Sequence, residues 1–169
     1  IITATKFSKQ YNFLNQDNCI ELYDYDVHYN WIKDADAAFI FDVGDFVRLR
    51  DVGRALIENK IYTFNIDHHP SLKNSSFNEN YVDTAAAATG EMIYEFIKKN
   101  EINFTKDEAI GVYTAIMTDT GSFRHSNTNS NCHKIAMECI ELGVNSSRVY
   151  QSIYELSLIH ISEPTRRPI

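Results

Sequence analysis

Asp67, His68 and His69 stand together where an apolar run, Ile61 to Ile66 (IYTFNI), meets Pro70 within the stretch NIDHHPS. A short β-rich run ending in polar groups is how a parallel strand delivers side chains to the C-terminal edge of a sheet. Neighbouring strand residues point to opposite faces, so the three cannot share one task unless the backbone turns, and Pro70 favours a turn. Taken alone, the triplet also fits a polar strand exit with one buried histidine satisfied by a carbonyl, since three-residue motifs occur by accident. Two further aspartates lie in similar settings. Asp42 ends the run Ala37 to Asp42 (AAFIFD), and Asp119 is central to Ile116 to Thr128 (IMTDTGSFRHSNT), where a helix yields to a loop rich in Thr, Ser and Gly. Asp45 competes for the role of Asp42, but Asp42 abuts the apolar run and suits a strand-end ligand better.

Carboxylates and imidazoles with hydroxyls and arginine nearby suit an oxygen and nitrogen site for Mn²⁺ or Mg²⁺, not a thiolate zinc site. Clustered carboxylates repel, so without cations at least one tends to take up a proton. Two divalent ions about 3.5–4 Å apart remove that penalty, activate water and clamp a phosphate. Gly121 permits a conformation that other residues avoid, and Ser122, Arg124 and Ser126 are expected as exposed donors for phosphate oxygens.

The elements that must position these groups follow from periodicity. Ile1 to Thr5 and Cys19 to Leu22 read as short strands, Phe7 to Leu14 as a short helix, and Asp24 to Asp36 as a loop and helix. The run Ala37 to Asp42 reads as a strand buried on both faces. Phe46, Leu49, Val52 and Leu56 recur at helical spacing over Asp45 to Asn59, and the strand Ile61 to Ile66 follows at once. Strand, helix, strand in this compass is a βαβ unit with parallel neighbours. Asp42 and the Asp-His-His triplet therefore gather on one sheet edge. Lys73 to Asn80 reads as a polar mobile loop, Tyr81 and Val82 as a short strand, and Thr84 to Lys99 as a helix with Met92, Ile93, Phe96 and Ile97 inward. Gly90 inside it costs about 1 kcal/mol against Ala, which points to close packing or ligand approach. Thr105 with Glu108 is a capping signature for a helix to Thr118, and Cys132 to Leu142 is a helix stopped by Gly143. Ser146 to Leu156 reads as a last helix.

With 169 residues, 44% hydrophobic, the chain suffices for one domain with a real core. Its net charge of -7 argues against holding nucleic acid mainly by charge. Cys19, Cys132 and Cys139 form no CxxC pair and suit reduced thiols in a cytoplasm. No stretch has the length of a bilayer span, and no signal-peptide pattern is present.

In order and at sensible spacing, FIFDVGDFVRLRD, FNIDHHPS, AAAATGEMIYEFI and TAIMTDTGSFRHSNT resemble successive motifs of the DHH phosphoesterase family, in its oligoribonuclease and 3′-phosphoadenosine-5′-phosphate phosphatase branch. The resemblance runs from about Ile1 to Leu156. It implies an α/β fold, doubly wound, with a mainly parallel sheet and helices on both faces. It also implies that Asp42 bridges two Mn²⁺ (or Mg²⁺) ions, that His68 is a direct ligand, and that Asp119 ligates the same ion. His69 would face the scissile phosphate, with Asp67 orienting the pair. Arg124, Ser122 and Arg48 would contact substrate, and His125 and His133 are expected as surface or packing residues. The implied activity is hydrolysis of short oligoribonucleotides or small nucleotides, with no membrane partner and room for a homodimer. A manganese pyrophosphatase, a cyclic-dinucleotide phosphodiesterase and a nucleotide-binding module without catalysis are the alternatives.

Against the family pattern, a first motif with one His and two Asp ligands and a C-terminal substrate domain are missing from the sequence. Residues 1–156 are therefore expected to be a catalytic domain truncated at its N-terminus, holding metal weakly. Ser157 to Ile169 (SLIHISEPTRRPI) resembles a translated sequencing adapter and is expected to be a tail without structure.

Overall fold

Every strand pair in the computed structural model, which describes residues 1–70 and 76–155, is parallel. Strands β1 (Ile2–Thr3) and β2 (Glu21–Leu22) form a small sheet of their own, with a 3-10 turn at Lys9–Leu14 between them. Helix α1 (Tyr25–Lys33) begins where the Asp24 carboxylate accepts from the amides of Asp26 and Val27, satisfying two of the donors a helix start leaves open. The larger sheet has the order β3 (Ala37–Phe41), β4 (Tyr62–Asp67), β5 (Glu79–Val82), and α2 (Arg50–Glu58) connects β3 to β4. Helices α3 (Thr89–Lys99), α4 (Lys106–Asp119), α5 (Ser130–Glu141) and α6 (Ser146–Tyr150) follow, the last continuing as a π-turn over Gln151–Glu155. The expected class, α/β with a parallel sheet and flanking helices, holds. So does the βαβ unit: Ala38 pairs with Thr63 and Ile40 with Asn65, and the Asp42 amide extends that ladder to the Ile66 carbonyl.

Three local expectations need correction. β3 is not buried on both faces: Ile40 is buried, but Phe39 is 63% and Phe41 47% exposed. Parallel register puts Phe39 and Phe41 on one face with Phe64 and Ile66, and Ala38 and Ile40 on the other with Thr63 and Asn65. Only the second face lies over Ile32, Leu49, Leu56 and Ile61. The strand at Tyr81 and Val82 begins earlier, at Glu79, because Asn78 folds onto β4, its side-chain oxygen accepting from the Thr63 amide and hydroxyl. The alanine-rich helix starts at Thr89 rather than Thr84. Ala is the best helix former, yet the polar backbone groups of Ala85, Ala86 and Ala87 are taken by side chains, as described below. Residues 71–75, which include the start of the polar loop expected over Lys73 to Asn80, and residues 156–169, which include the expected tail from Ser157, lie outside the described residues.

Two apolar clusters result. One joins α1, α2 and the sheet; the other is built from helices and centres on Ile116, Met117, Ile135, Cys132 and Cys139. Burying side chains such as Ile116 and Ile135 is worth about 1.5–3 kcal/mol each, which fixes α3, α4 and α5 as a unit. Tyr94 of α3 donates to Glu138 of α5 at 2.6 Å, and Lys98 reaches the same carboxylate at 2.7 Å. His28, for which the sequence pattern offers no partner, is buried with Nε2 3.2 Å from Glu21. Among the described residues no helix is long and apolar enough to cross a membrane.

The thiols test this core. Cys19 is exposed, whereas Cys132 and Cys139 are buried, and burial pushes the Cys139 thiol up to about 11, where little thiolate forms at neutral pH. Alkylation of the native protein is expected to modify Cys19 alone, read by mass spectrometry of its peptides. Equal labelling of Cys139 would show that the helical core opens readily.

Candidate metal centre

Asp42 lies one residue beyond β3 with φ +58°, a left-handed conformation that Asp tolerates better than most residues. That turn and Gly44 at φ +69° carry the backbone across the end of β4, where the Gly44 amide donates to Asp67 Oδ2. Asp67 is fully buried. Burial opposes its ionisation, but the His69 amide (2.9 Å), the His69 ring Nδ1–H (2.8 Å) and the Gly44 amide all favour the anion, and its pKa is held below the ordinary value. Asp45, the competitor for Asp42, is occupied capping the 3-10 turn Phe46–Leu49, accepting from Val47 N.

His68 leaves β4 on the side of α4. Its Nδ1–H donates to the Ala86 carbonyl at 3.3 Å, which places the proton on Nδ1 and the lone pair on Nε2. Nε2 is buried and has no hydrogen-bond partner among the described residues. It stands 3.6 Å from Asp42 Oδ1 and 3.6 Å from Asp119 Oδ2. The simplest reading of an isolated Asp-His-His triplet, a histidine satisfied by a carbonyl, is thus half true: one nitrogen is satisfied and the other is aimed between two carboxylates. Asp119 is the last residue of α4. Its pKa is raised, first by burial and then by the neighbouring Asp42, against the lowering pull of His68 and His69. A buried imidazole lone pair between two carboxylates that repel each other is a donor set suited to a divalent cation, which would supply the missing positive charge.

The structure therefore brings together Asp42, His68 and Asp119 from three distant points of the chain. His69 joins them, its Nδ1 3.5 Å from Asp42 Oδ1, and Asp42, His68 and His69 form a compact set of possible ligands. Because His69 Nδ1 is bound at 2.8 Å to the buried Asp67, its lone pair is not free, and Asp119 is the better third ligand beside Asp42 and His68. Arg48 is tied to the same turn: its Nη1 donates to the Val43 carbonyl (3.1 Å), next to Gly44, whose amide donates to Asp67.

After α4 the chain makes a left-handed turn, with Gly121, Ser122 and Phe123 at φ +56°, +60° and +64°. Two consecutive non-glycine residues there cost on the order of 1–2 kcal/mol each. Thr120, fully buried, offsets this: its hydroxyl donates to Ile116 O and accepts from Phe123 N, and its carbonyl accepts from the amides of Arg124 and His125. The turn corrects one expectation. Ser122 is not an exposed donor; its hydroxyl is buried without a partner among the described residues, because left-handed backbone turns the side chain inward. Arg124 is exposed, and its Nε–H donates to Gly121 O at 2.9 Å. The His125 ring lies over Gly121, and His133 stacks on Phe123, so both pack locally as expected.

Sequence reasoning missed Thr89, whose hydroxyl donates to Asp42 Oδ1 at 3.0 Å, and Asn127, which binds the Asp119 carbonyl at 3.2 Å. Both fall inside stretches that resemble family motifs, AAAATGEMIYEFI and TAIMTDTGSFRHSNT, but neither residue type nor spacing singles them out there; Thr89 adjoins Gly90, the one residue of that helix whose type asks for an explanation.

No protein-family model matches the chain. A protein of Thermus thermophilus described as the bifunctional oligoribonuclease and PAP phosphatase NrnA is 37% identical over 84 residues, 49% of this chain and 25% of that protein. The Bacillus subtilis protein of the same description is 34% identical over 96 residues, 55% of this chain and 30% of its own length. The chain thus spans about a third or less of these curated relatives. The crystal structure of an exopolyphosphatase-related protein from Bacteroides fragilis superposes with a TM-score of 0.79, at 21% identity, over 95% of this chain and 50% of the other, and so shares the fold. With its Asp-His-His triplet closing a parallel strand beside Asp42 and Asp119, the chain is thus similar, over part of their length, to proteins described as oligoribonuclease and PAP phosphatase, and it resembles the DHH phosphoesterase family.

Proposed function

We propose that the chain supplies Asp42, His68 and Asp119 to a two-cation centre, Mn²⁺ or Mg²⁺, of a hydrolase acting on phosphoesters of short oligoribonucleotides or small nucleotides such as 3′-phosphoadenosine-5′-phosphate. The observation that carries this reading is the buried, unpartnered Nε2 of His68 standing 3.6 Å from each of two carboxylates. The relatives' described activities supply the substrate class. Divalent cations, when bound, acidify water and neutralise the charge on a phosphate. The residues of the chain do the rest. Ala86 O holds His68 in the tautomer that presents Nε2, and Asp67 fixes the plane of His69 through Nδ1, so that Nε2 of that half-exposed ring is left to meet the substrate. Arg124 and Arg48 offer guanidinium donors to phosphate oxygens. A contact from Ser122 would require its buried hydroxyl to be uncovered, so the arginines carry that role.

The test is a protein of the relatives' full length that includes this chain, assayed with Mn²⁺ against short RNA and 3′-phosphoadenosine-5′-phosphate. Hydrolysis of either, lost on chelation and regained on adding Mn²⁺, is the expected result. Hydrolysis of inorganic pyrophosphate alone, or inertness toward every phosphoester, would overturn it. Among its described residues this chain presents three candidate ligands and one adjacent imidazole for two cations, so it is expected to bind Mn²⁺ weakly.

A further inference from the structure

We infer that Thr89 is the positioning residue of the Asp42 carboxylate, and that with Asn127 it makes the segment from Asp83 to Thr89 a strap locking Asp42, His68 and Asp119 into one constellation. This rests on the metal-centre reading above and deepens it. The strap is tied to β4 at its start, where Asp83 N donates to Asp67 O at 3.1 Å, and Asp83 Oδ1 accepts from Ala85 N to turn the chain. Ala86 O then receives the His68 ring, and Ala87 N donates to the buried carboxylate of Glu91 at 2.7 Å. Glu91 is itself held by the Asn131 amide at 2.6 Å, so the strap cannot slide toward α3. Asn127 Nδ2 has two protons and spends one on Ala87 O (3.1 Å) and one on Asp119 O (3.2 Å), joining the strap to the last turn of α4. Thr89, first residue of α3, closes the set through its bond to Asp42 Oδ1.

Asp42 needs such a partner more than the other ligands do. Its side chain is 47% exposed and sits on a left-handed backbone outside any element, and among the described residues the Thr89 hydroxyl is its hydrogen-bond donor, with His68 and His69 farther off at 3.6 and 3.5 Å. Thr89 is 6% exposed and β-branched in the first turn of a helix, which leaves its hydroxyl few directions. One carboxylate oxygen is thereby oriented by a rigid donor. Partners of this kind typically govern metal affinity by about 10–100-fold.

The experiment titrates this chain with Mn²⁺, reading free ion by electron paramagnetic resonance, and follows thermal unfolding without metal. Thr89→Val keeps shape and removes the hydroxyl; it is expected to weaken Mn²⁺ binding about 10–100-fold with little change in melting temperature. Thr89→Ser should restore affinity toward that of the parent chain. Asn127→Asp, which sets an acceptor against two carbonyls, should weaken binding by a smaller factor because the site is exposed. Asp42→Ala is the benchmark for a lost ligand. Parent-like binding by Thr89→Val alongside loss in Asp42→Ala would overturn the positioning role and leave the metal centre standing. Mn²⁺ binding that Asp42→Ala does not alter would overturn both. Should Thr89→Val unfold, Thr89→Ala takes its place; if both unfold without metal, Thr89 is a folding residue and the inference fails.

Discussion

Alanine at His69 is expected to slow phosphoester hydrolysis about 10²–10³-fold, and excess Mn²⁺ is not expected to restore it. The magnitude is that of removing one preorganised donor at a developing anion, about 2.7–4 kcal/mol of barrier. The two adjacent histidines should behave differently because their nitrogens are committed differently. His68 spends Nδ1 on a backbone carbonyl and leaves a buried Nε2 between Asp42 and Asp119, so His68→Ala removes a ligand and its loss should be partly made good by mass action at high Mn²⁺. His69 spends Nδ1 on Asp67, a fully buried carboxylate also tied to the Gly44 and His69 amides, so its ring is fixed without any cation. On the proposed reading, deleting it would leave the carboxylates in place and take away a substrate contact. Both variants, made in a protein of the relatives' full length, would be compared by kcat and KM over a range of Mn²⁺ concentrations. Rescue of His69→Ala by metal, or indifference of His68→Ala to it, would exchange the two roles.

How much of this centre could be read from sequence depended on whether a residue's position follows from period or from tertiary contact. Asp42 and Asp67 end apolar runs separated by a helix, and a parallel βαβ unit has one edge where both must arrive. Asp119 was legible as a helix end, and the family resemblance rather than periodicity put it on the same side. The face that β3 leaves open was not legible, because a run of apolar residues reads alike whether one or both faces are covered. Nor was the start of α3. A four-alanine run has the highest helix propensity, but one backbone carbonyl accepting from His68 and another from Asn127 outweigh a few tenths of a kcal/mol per residue. Ser122 was misread for a related reason. Its polarity predicts exposure, whereas the left-handed turn pinned by Thr120 decides where its hydroxyl goes.

Gly90→Ala is expected to destabilise the chain by about 1–3 kcal/mol, although helix propensity taken alone predicts a gain of about 1 kcal/mol. A methyl at Gly90 would stand 2.6 Å from Ala115 Cβ and 3.4 Å from the Val112 carbonyl on α4. Carbon atoms prefer about 3.5–4.0 Å, and neither Ala115 nor the helix backbone beneath it has a rotamer that moves aside. The two helices must separate, against the cluster of Ile116, Met117 and Ile135 that holds them together. For a chain of this size each kcal/mol lowers the melting temperature by about 2–4 °C, which calorimetry resolves. Separation also carries Thr89, the neighbour of Gly90, away from Asp42, so Mn²⁺ affinity should fall with stability. Ala115→Gly in the same chain removes the opposing methyl and should recover part of both losses. The recovery is partial because a glycine within α4 carries its own cost of about 1 kcal/mol. A Gly90→Ala protein as stable as the parent would mean that α3 and α4 have slack at their closest approach, and that the distance from Thr89 to Asp42 is set elsewhere.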